Sequence, residues 1–147
     1  YQSITADAIP DAELPDNAGR MRVIAGRYQD AVGPAHTFSP LNVWDLQLNQ
    51  SHEVTLHQPA GWSTALVVLE GEIVVNGEGN AREGQLVVLS QKGETLHLAA
   101  SSHVKVLLMA GEPLQEPIVG YGPFVMNTKA QIAEAVRDFN SGRFGQI

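Results

Sequence analysis

A chain of 147 residues suits a single domain with a substantial core. Hydrophobic residues make up 44% and charged residues 17%, the balance of a soluble globular protein and not of a disordered one. The net charge of −7, with nine Lys and Arg scattered singly, excludes direct DNA or RNA binding, because phosphate recognition needs clustered cations.

Residues 1–19, YQSITADAIPDAELPDNAG, hold two prolines and little periodicity, and read as a linker or N-terminal arm with Ile4, Ile9 and Leu14 spaced along one edge. Strand signals follow over 21–28, 42–48, 53–57, 64–69, 72–75, 85–90, 95–99 and 104–109. Each is short and rich in branched residues, with Gly, Pro, Asn or Ser between them. The clearest hairpin turns on Glu70-Gly71 and ends at Asn76-Gly77. Strands at this regular spacing predict a sandwich or barrel, not a parallel α/β sheet. A single helix is predicted over 128–141. Thr128-Lys129-Ala130-Gln131 forms a capping box, Ile132, Val136 and Phe139 make one apolar stripe, and Gly142 is placed to end it.

The sequence contains no cysteine, which removes disulfides, thiolate metal sites and Cys nucleophiles. No stretch reaches the roughly 20 apolar residues of a membrane span, and no signal peptide is visible, so a cytoplasmic location is expected. The Gly-x-Ser-x-Gly phrase of a hydrolase is missing. Glu70 and Glu72 flank a turn glycine and are expected to be solvated, and Asp45 and Glu53 have no evident acid–base partner.

The run GEPLQEPIVGYGPFVMNT at 111–128, continued by KAQIAEAVRDFNSGRFG at 129–145, is long and unusual in composition. It resembles the closing segment of pirin-like proteins, which are two-cupin proteins. The resemblance implies an all-β cupin jelly roll, with residues 20–147 forming the C-terminal cupin including its helix. A metal such as iron or another divalent first-row ion is then expected only in an N-terminal cupin that this chain does not contain. The opening Tyr1 in place of Met leads us to expect a chain processed, cut down or excerpted from a longer one.

Cupins place their ligands in two motifs, and this chain departs from both. Counting back from Gly71, the carboxylate position falls on Thr64, and the His-x-His pair falls on His57 and Pro59 or on Gln58 and Ala60. In the second motif Gly84 opens correctly, but Ser90 replaces Pro, and Gly93 and His97 come late. Imidazole and carboxylate ligands are what a first-row ion needs, so no metal site is expected in this chain. The other histidines, His36, His52 and His103, read as surface or singly hydrogen-bonded residues.

Two readings of function follow. In the first, the chain is a non-catalytic structural cupin. It docks on the metal-bearing half, or on a second copy of itself, through an apolar surface of Tyr121, Phe124, Met126, Ile132, Val136, Phe139 and Phe144. The resemblance implies that the intact protein is a quercetin 2,3-dioxygenase-like enzyme or a redox-responsive regulator. In the second, the chain is a free-standing small-molecule-binding module, with a pocket lined by His57, Trp62, Thr64 and His97. Trp62 either walls that pocket or plugs the vacated metal cavity.

Overall fold

The computed structural model describes residues 2–143, and these divide between two compact units, Tyr1–Pro113 and Leu114–Ile147. The first holds β1 (Asp11–Glu13), β2 (Gly19–Ala25), β3 (Arg27–Tyr28), β4 (Ala31–Val32), β5 (Leu41–Leu48) and β6 (Glu53–His57). It continues with β7 (Ser63–Glu70), β8 (Glu72–Val75), β9 (Gly79–Arg82), β10 (Leu86–Val88), β11 (Thr95–Ala100) and β12 (Val104–Gly111). The second holds β13 (Val119–Tyr121), β14 (Phe124–Met126) and α1 (Lys129–Asn140).

Two antiparallel sheets make the first unit: six strands in the order β1-β2-β5-β12-β7-β10, and four in the order β6-β11-β8-β9. Successive side chains of a strand leave opposite faces, so alternate residues go inward. Val104, Val106, Leu108 and Ala110 of β12 are buried while their neighbours are not. The pattern recurs as Thr64, Leu66 and Val68 on β7, and as Leu96, Leu98 and Ala100 on β11. Together with Met21, Trp44, Leu46, Leu56 and Ile73 these side chains form one continuous core between the sheets. This is a jelly roll, within the sandwich or barrel class that the strand spacing predicts and the form that the resemblance implies.

The β7–β8 turn depends on Gly71, whose φ of +82° lies in the left-handed region, where a Cβ would collide with the His103 carbonyl oxygen. Beside it, Lys105 Nζ lies 2.6 Å from Glu70 Oε2 and ties the end of β7 to the start of β12. The hydrogen bond and the charge of Lys105 hold the Glu70 carboxyl below its ordinary range.

Part of the expected N-terminal arm belongs to the sheet. Asp11 to Glu13 pair with Arg22 to Arg20, and Leu14 and Ala18 are 3% and 1% exposed. An isolated three-residue strand gives almost no periodic signal, so its pairing with β2 is invisible in sequence. Likewise β9 is polar and short, and only its Ala81 enters the core.

In the second unit β13 and β14 form a hairpin around Gly122, with Tyr121 opposite Phe124. Thr128 caps the helix: its Oγ1 accepts from Gln131 N at 3.2 Å, and Gln131 Oε1 accepts from Thr128 N at 2.9 Å. Phe124 and Phe139 meet edge to face at 6.2 Å, and Asn127 Nδ2 donates to Glu116 and to the Pro117 carbonyl.

Leu108 is fully buried in the central strand β12, where surrounding backbone is held on both sides. Leu108→Ala is expected to cost on the order of 3 kcal/mol, read as a lower urea midpoint at unchanged slope. Glu70 offers a test on the acid side. A carboxyl depressed in the folded state stabilises above its unfolded value, and that stabilisation disappears as pH falls through the folded value. Glu70→Gln is expected to change the midpoint little at pH 7, since the pair is exposed, and to lessen its fall between about pH 5 and pH 3.

Candidate functional site

An open cavity of about 430 Å³ lies in the first unit, lined from β7, β8, β9, β10 and β11 and from the loop after β6 that carries Gln58 and Trp62. Its apolar wall comes from Trp62, Val75, Val87, Leu89 and Leu96, and Gln58 and Thr64 contribute the buried polar groups. Of the four pocket residues expected from sequence, Trp62 and Thr64 line this cavity. His57 and His97 do not, and the reason is strand parity. Val54 and Leu56 of β6 and Leu96 and Leu98 of β11 point inward, so His57 and His97, one step away, go to the outer face.

There His97 has its own partners. Its Nδ1 lies 3.3 Å from Thr55 Oγ1 and its Nε2 3.5 Å from Glu53 Oε2, while its backbone N donates to Asn76 Oδ1 at 2.9 Å. His57 stands across from Thr95 and is exposed. His52 Nδ1 is 3.0 Å from the Gln50 carbonyl oxygen. None of the histidines lines the cavity.

Trp62 packs against the edge of the core, yet open space remains beside it. It both packs on the core and lines the cavity.

Gln58 follows Val54 and Leu56 in the same inward series and is 7% exposed. Its Oε1 accepts from Asn42 Nδ2 at 2.8 Å, and Asn42 Oδ1 in turn accepts from Arg27 N at 3.2 Å. Gln58 Nε2 is buried without a hydrogen-bond partner. Thr64, also 7% exposed, makes no side-chain hydrogen bond among the described residues. A buried donor without a partner costs about 1–3 kcal/mol, which makes such a group a pointer to something not supplied by the chain. The parity of Val54 and Leu56 was the signal that could have singled out Gln58 over its neighbour His57.

The donor chemistry does not fit a first-row metal ion. The inner wall offers a neutral amide and a neutral hydroxyl, and among the described residues no three His, Cys, Asp or Glu side chains gather. Nor are the groups with displaced protonation located here. Burial pushes the Tyr28 phenol up, its ring edge-on to Trp44 at 5.4 Å, and a hydrogen bond from Thr5 draws the Asp7 carboxyl down. Neither residue, nor Glu70, lines the cavity.

The profile of the pirin C-terminal cupin domain matches residues 43–145. The chain belongs to that family. It is 47% identical over 144 residues to a Pseudomonas aeruginosa protein named "Putative quercetin 2,3-dioxygenase", covering 98% of this chain and 50% of that one. It is 29% identical over 150 residues to pirin of Rattus norvegicus, covering 99% of this chain and 50% of pirin. The crystal structure of quercetin 2,3-dioxygenase from Acinetobacter baumannii superposes with a TM-score of 0.92 at 51% identity, over 100% of this chain and 51% of that one. The chain thus spans about half the length of the curated relatives it matches. Among the described residues no helix is long and apolar enough to cross a membrane.

Metal analysis tests the poor fit directly. Chain purified without chelator is expected to carry less than about a tenth of an equivalent of Fe, Mn, Ni, Cu or Zn by mass spectrometry, unchanged in His57→Ala and His97→Ala. Close to one equivalent, lost in either variant, would place the ligands where the fold does not.

Proposed function

We propose that this pirin-type C-terminal cupin is a non-catalytic structural module that docks on a metal-bearing N-terminal cupin. The relatives twice its length support this, since each has as much chain again with which to build that half. The intact protein is then a quercetin 2,3-dioxygenase-like enzyme or a redox-responsive regulator, with the metal held by the other half.

The observation that carries the docking is the apolar surface of the second unit. Tyr121, Val125 and Phe139 are 69%, 68% and 63% exposed, and Ile118 and Leu114 stand out with them. Exposed large apolar groups mark an interface, and here Tyr121 shares one face of the β13–β14 hairpin with Phe124 while Val125 takes the other. A unit of this size cannot bury them all in a core of its own. Of the residues expected at such a surface, Tyr121 and Phe139 are exposed, Phe124, Met126 and Val136 are half-buried, and Ile132 is buried at 8% on the inner side of α1. Ile132 therefore supports the helix from within and does not itself face a partner. Phe144 lies outside the described residues.

The test mixes this chain with the portion of the 47%-identical P. aeruginosa relative that it does not match. A one-to-one complex by size-exclusion chromatography with light scattering is expected, with Kd of about 1 μM or tighter. Tyr121→Asp combined with Phe139→Asp is expected to weaken it at least about tenfold without lowering the melting temperature of the free chain by more than a few degrees. A dimer of this chain that excludes the added half would assign the surface to a second copy. Consumption of quercetin by this chain alone would overturn the non-catalytic reading.

A further inference from the structure

We infer that the outer face of the six-stranded sheet, where β12, β7 and β10 lie side by side, is a seat for the N-terminal cupin half. The inference rests on the docking reading and adds a face of the first unit to it.

The alternation that orders the core breaks down on this face. An antiparallel sheet with one solvated face alternates apolar inside with polar outside, whereas strands covered on both faces read as continuous apolar runs. The four-stranded sheet follows the first pattern along β6, with Glu53, Thr55 and His57 outside. One corner of the six-stranded sheet follows it too, with Arg20, Arg22, Asp45 and Gln47. The opposite corner does not. Residues 65–69, 86–89 and 106–110 are unbroken apolar runs. Register sets Leu107 of β12 beside Val67 of β7, and Val67 beside Leu86 of β10. In the next row Met109 stands beside Ala65, and Ala65 beside Val88. All six leave the face opposite the core. Leu86 and Val88 are 59% and 72% exposed, and the other four are half-buried. The Arg22–Asp45 pair at 3.6 Å and the Lys105–Glu70 pair at 2.6 Å border the patch, which gives it the apolar centre and polar rim of an interface.

The occupant follows from the chain that the longer relatives add. The match covers 50% of the P. aeruginosa protein and 51% of the A. baumannii one, so each has about as much chain again. The matching profile is that of a C-terminal domain, which puts the other half ahead of it. Residues ahead of β1 run along this same sheet. The outward-facing Arg22 donates through Nη2 to the Ala6 carbonyl at 3.3 Å, and Val23 N donates to that of Pro10 at 3.0 Å. An N-terminal half is thereby delivered to the six-stranded sheet. From β2 to β10 is four strand spacings, about 19 Å, within the breadth of a domain of that length. A flat grid of branched and small side chains suits a second sheet laid about 10 Å away, which an all-β partner supplies.

The chain's three methionines report on separate places: Met21 in the core, Met109 on this face and Met126 in the second unit. Hydrogen peroxide converts an accessible thioether to the sulfoxide. The full chain is co-expressed with the unmatched portion of the P. aeruginosa relative, and each methionine's oxidation rate is read by peptide mass spectrometry in the complex and in the chain alone. Met109 oxidation is expected to slow at least about tenfold in the complex, with the slow rate of Met21 unchanged. Leu86→Asp combined with Val88→Asp is expected to weaken the complex at least about tenfold. Both side chains are exposed, so the free variant should melt within a few degrees of the parent.

Protection of Met126 with Met109 oxidised as fast as in the free chain would overturn the inference and leave the docking reading standing. Failure to form any complex would remove both. Protection of Met109 in the chain alone, growing with its concentration, would give the face to a second copy and also overturn the inference. The oxidation measurement uses no substitution, so it decides the matter even if the double variant folds poorly.

Discussion

Everything distinctive about the first unit follows from the two-residue period of its strands. A sheet that buries one face commits every second side chain to the interior, and shifting the commitment by one residue would expose the whole aliphatic set. Val54 and Leu56 commit β6, and Leu96 and Leu98 commit β11. Once those four are inside, the chemistry of the barrel end is decided. Gln58 and Thr64 face inward, while the imidazoles at 57 and 97 face out. The burial of a few leucines and valines thus determines which polar groups a ligand or an ion could meet.

The same period explains what could be read in the sequence. The strands from β5 to β12, apart from β9, carry enough branched residues at alternate positions to announce themselves. The jelly roll and the helix capped by Thr128 were legible for the same reason: local propensity and tertiary burial agree there. The candidate site was only half legible. Counting back from Gly71 reaches Thr64 and His57, and Trp62 is singled out by its loop after Gly61, but counting alone does not reveal which side of a strand a histidine leaves. The role of Gln58 emerged only with its neighbours, because a glutamine in sequence shows neither its burial nor the partner it lacks. Ile132 was misplaced in the opposite sense. Its position in the apolar stripe was read correctly, yet a stripe does not say which of its members faces the interior of its own unit.

The walls of the cavity are held by the core, and the buried polar groups they carry are an amide and a hydroxyl. Among those groups the Nε2 of Gln58 is buried without a hydrogen-bond partner. The second unit solves a different problem. Its hairpin and helix are tied together by the Phe124–Phe139 contact and the Asn127 hydrogen bonds, leaving an apolar exterior that water does not favour.

The short strand β1 has a consequence for the margin of the six-stranded sheet. It sits at the outer margin of the six-stranded sheet and occupies the free backbone groups of β2, with Leu14 N bonded to the Gly19 carbonyl and Val23 N to that of Pro10. Without it, β2 would present a ladder of unpaired amides and carbonyls, a template for another chain's strand. The segment ahead of the barrel is therefore a selvedge: it finishes the edge of the sheet, and trimming it would leave a fabric free to be stitched to its neighbour.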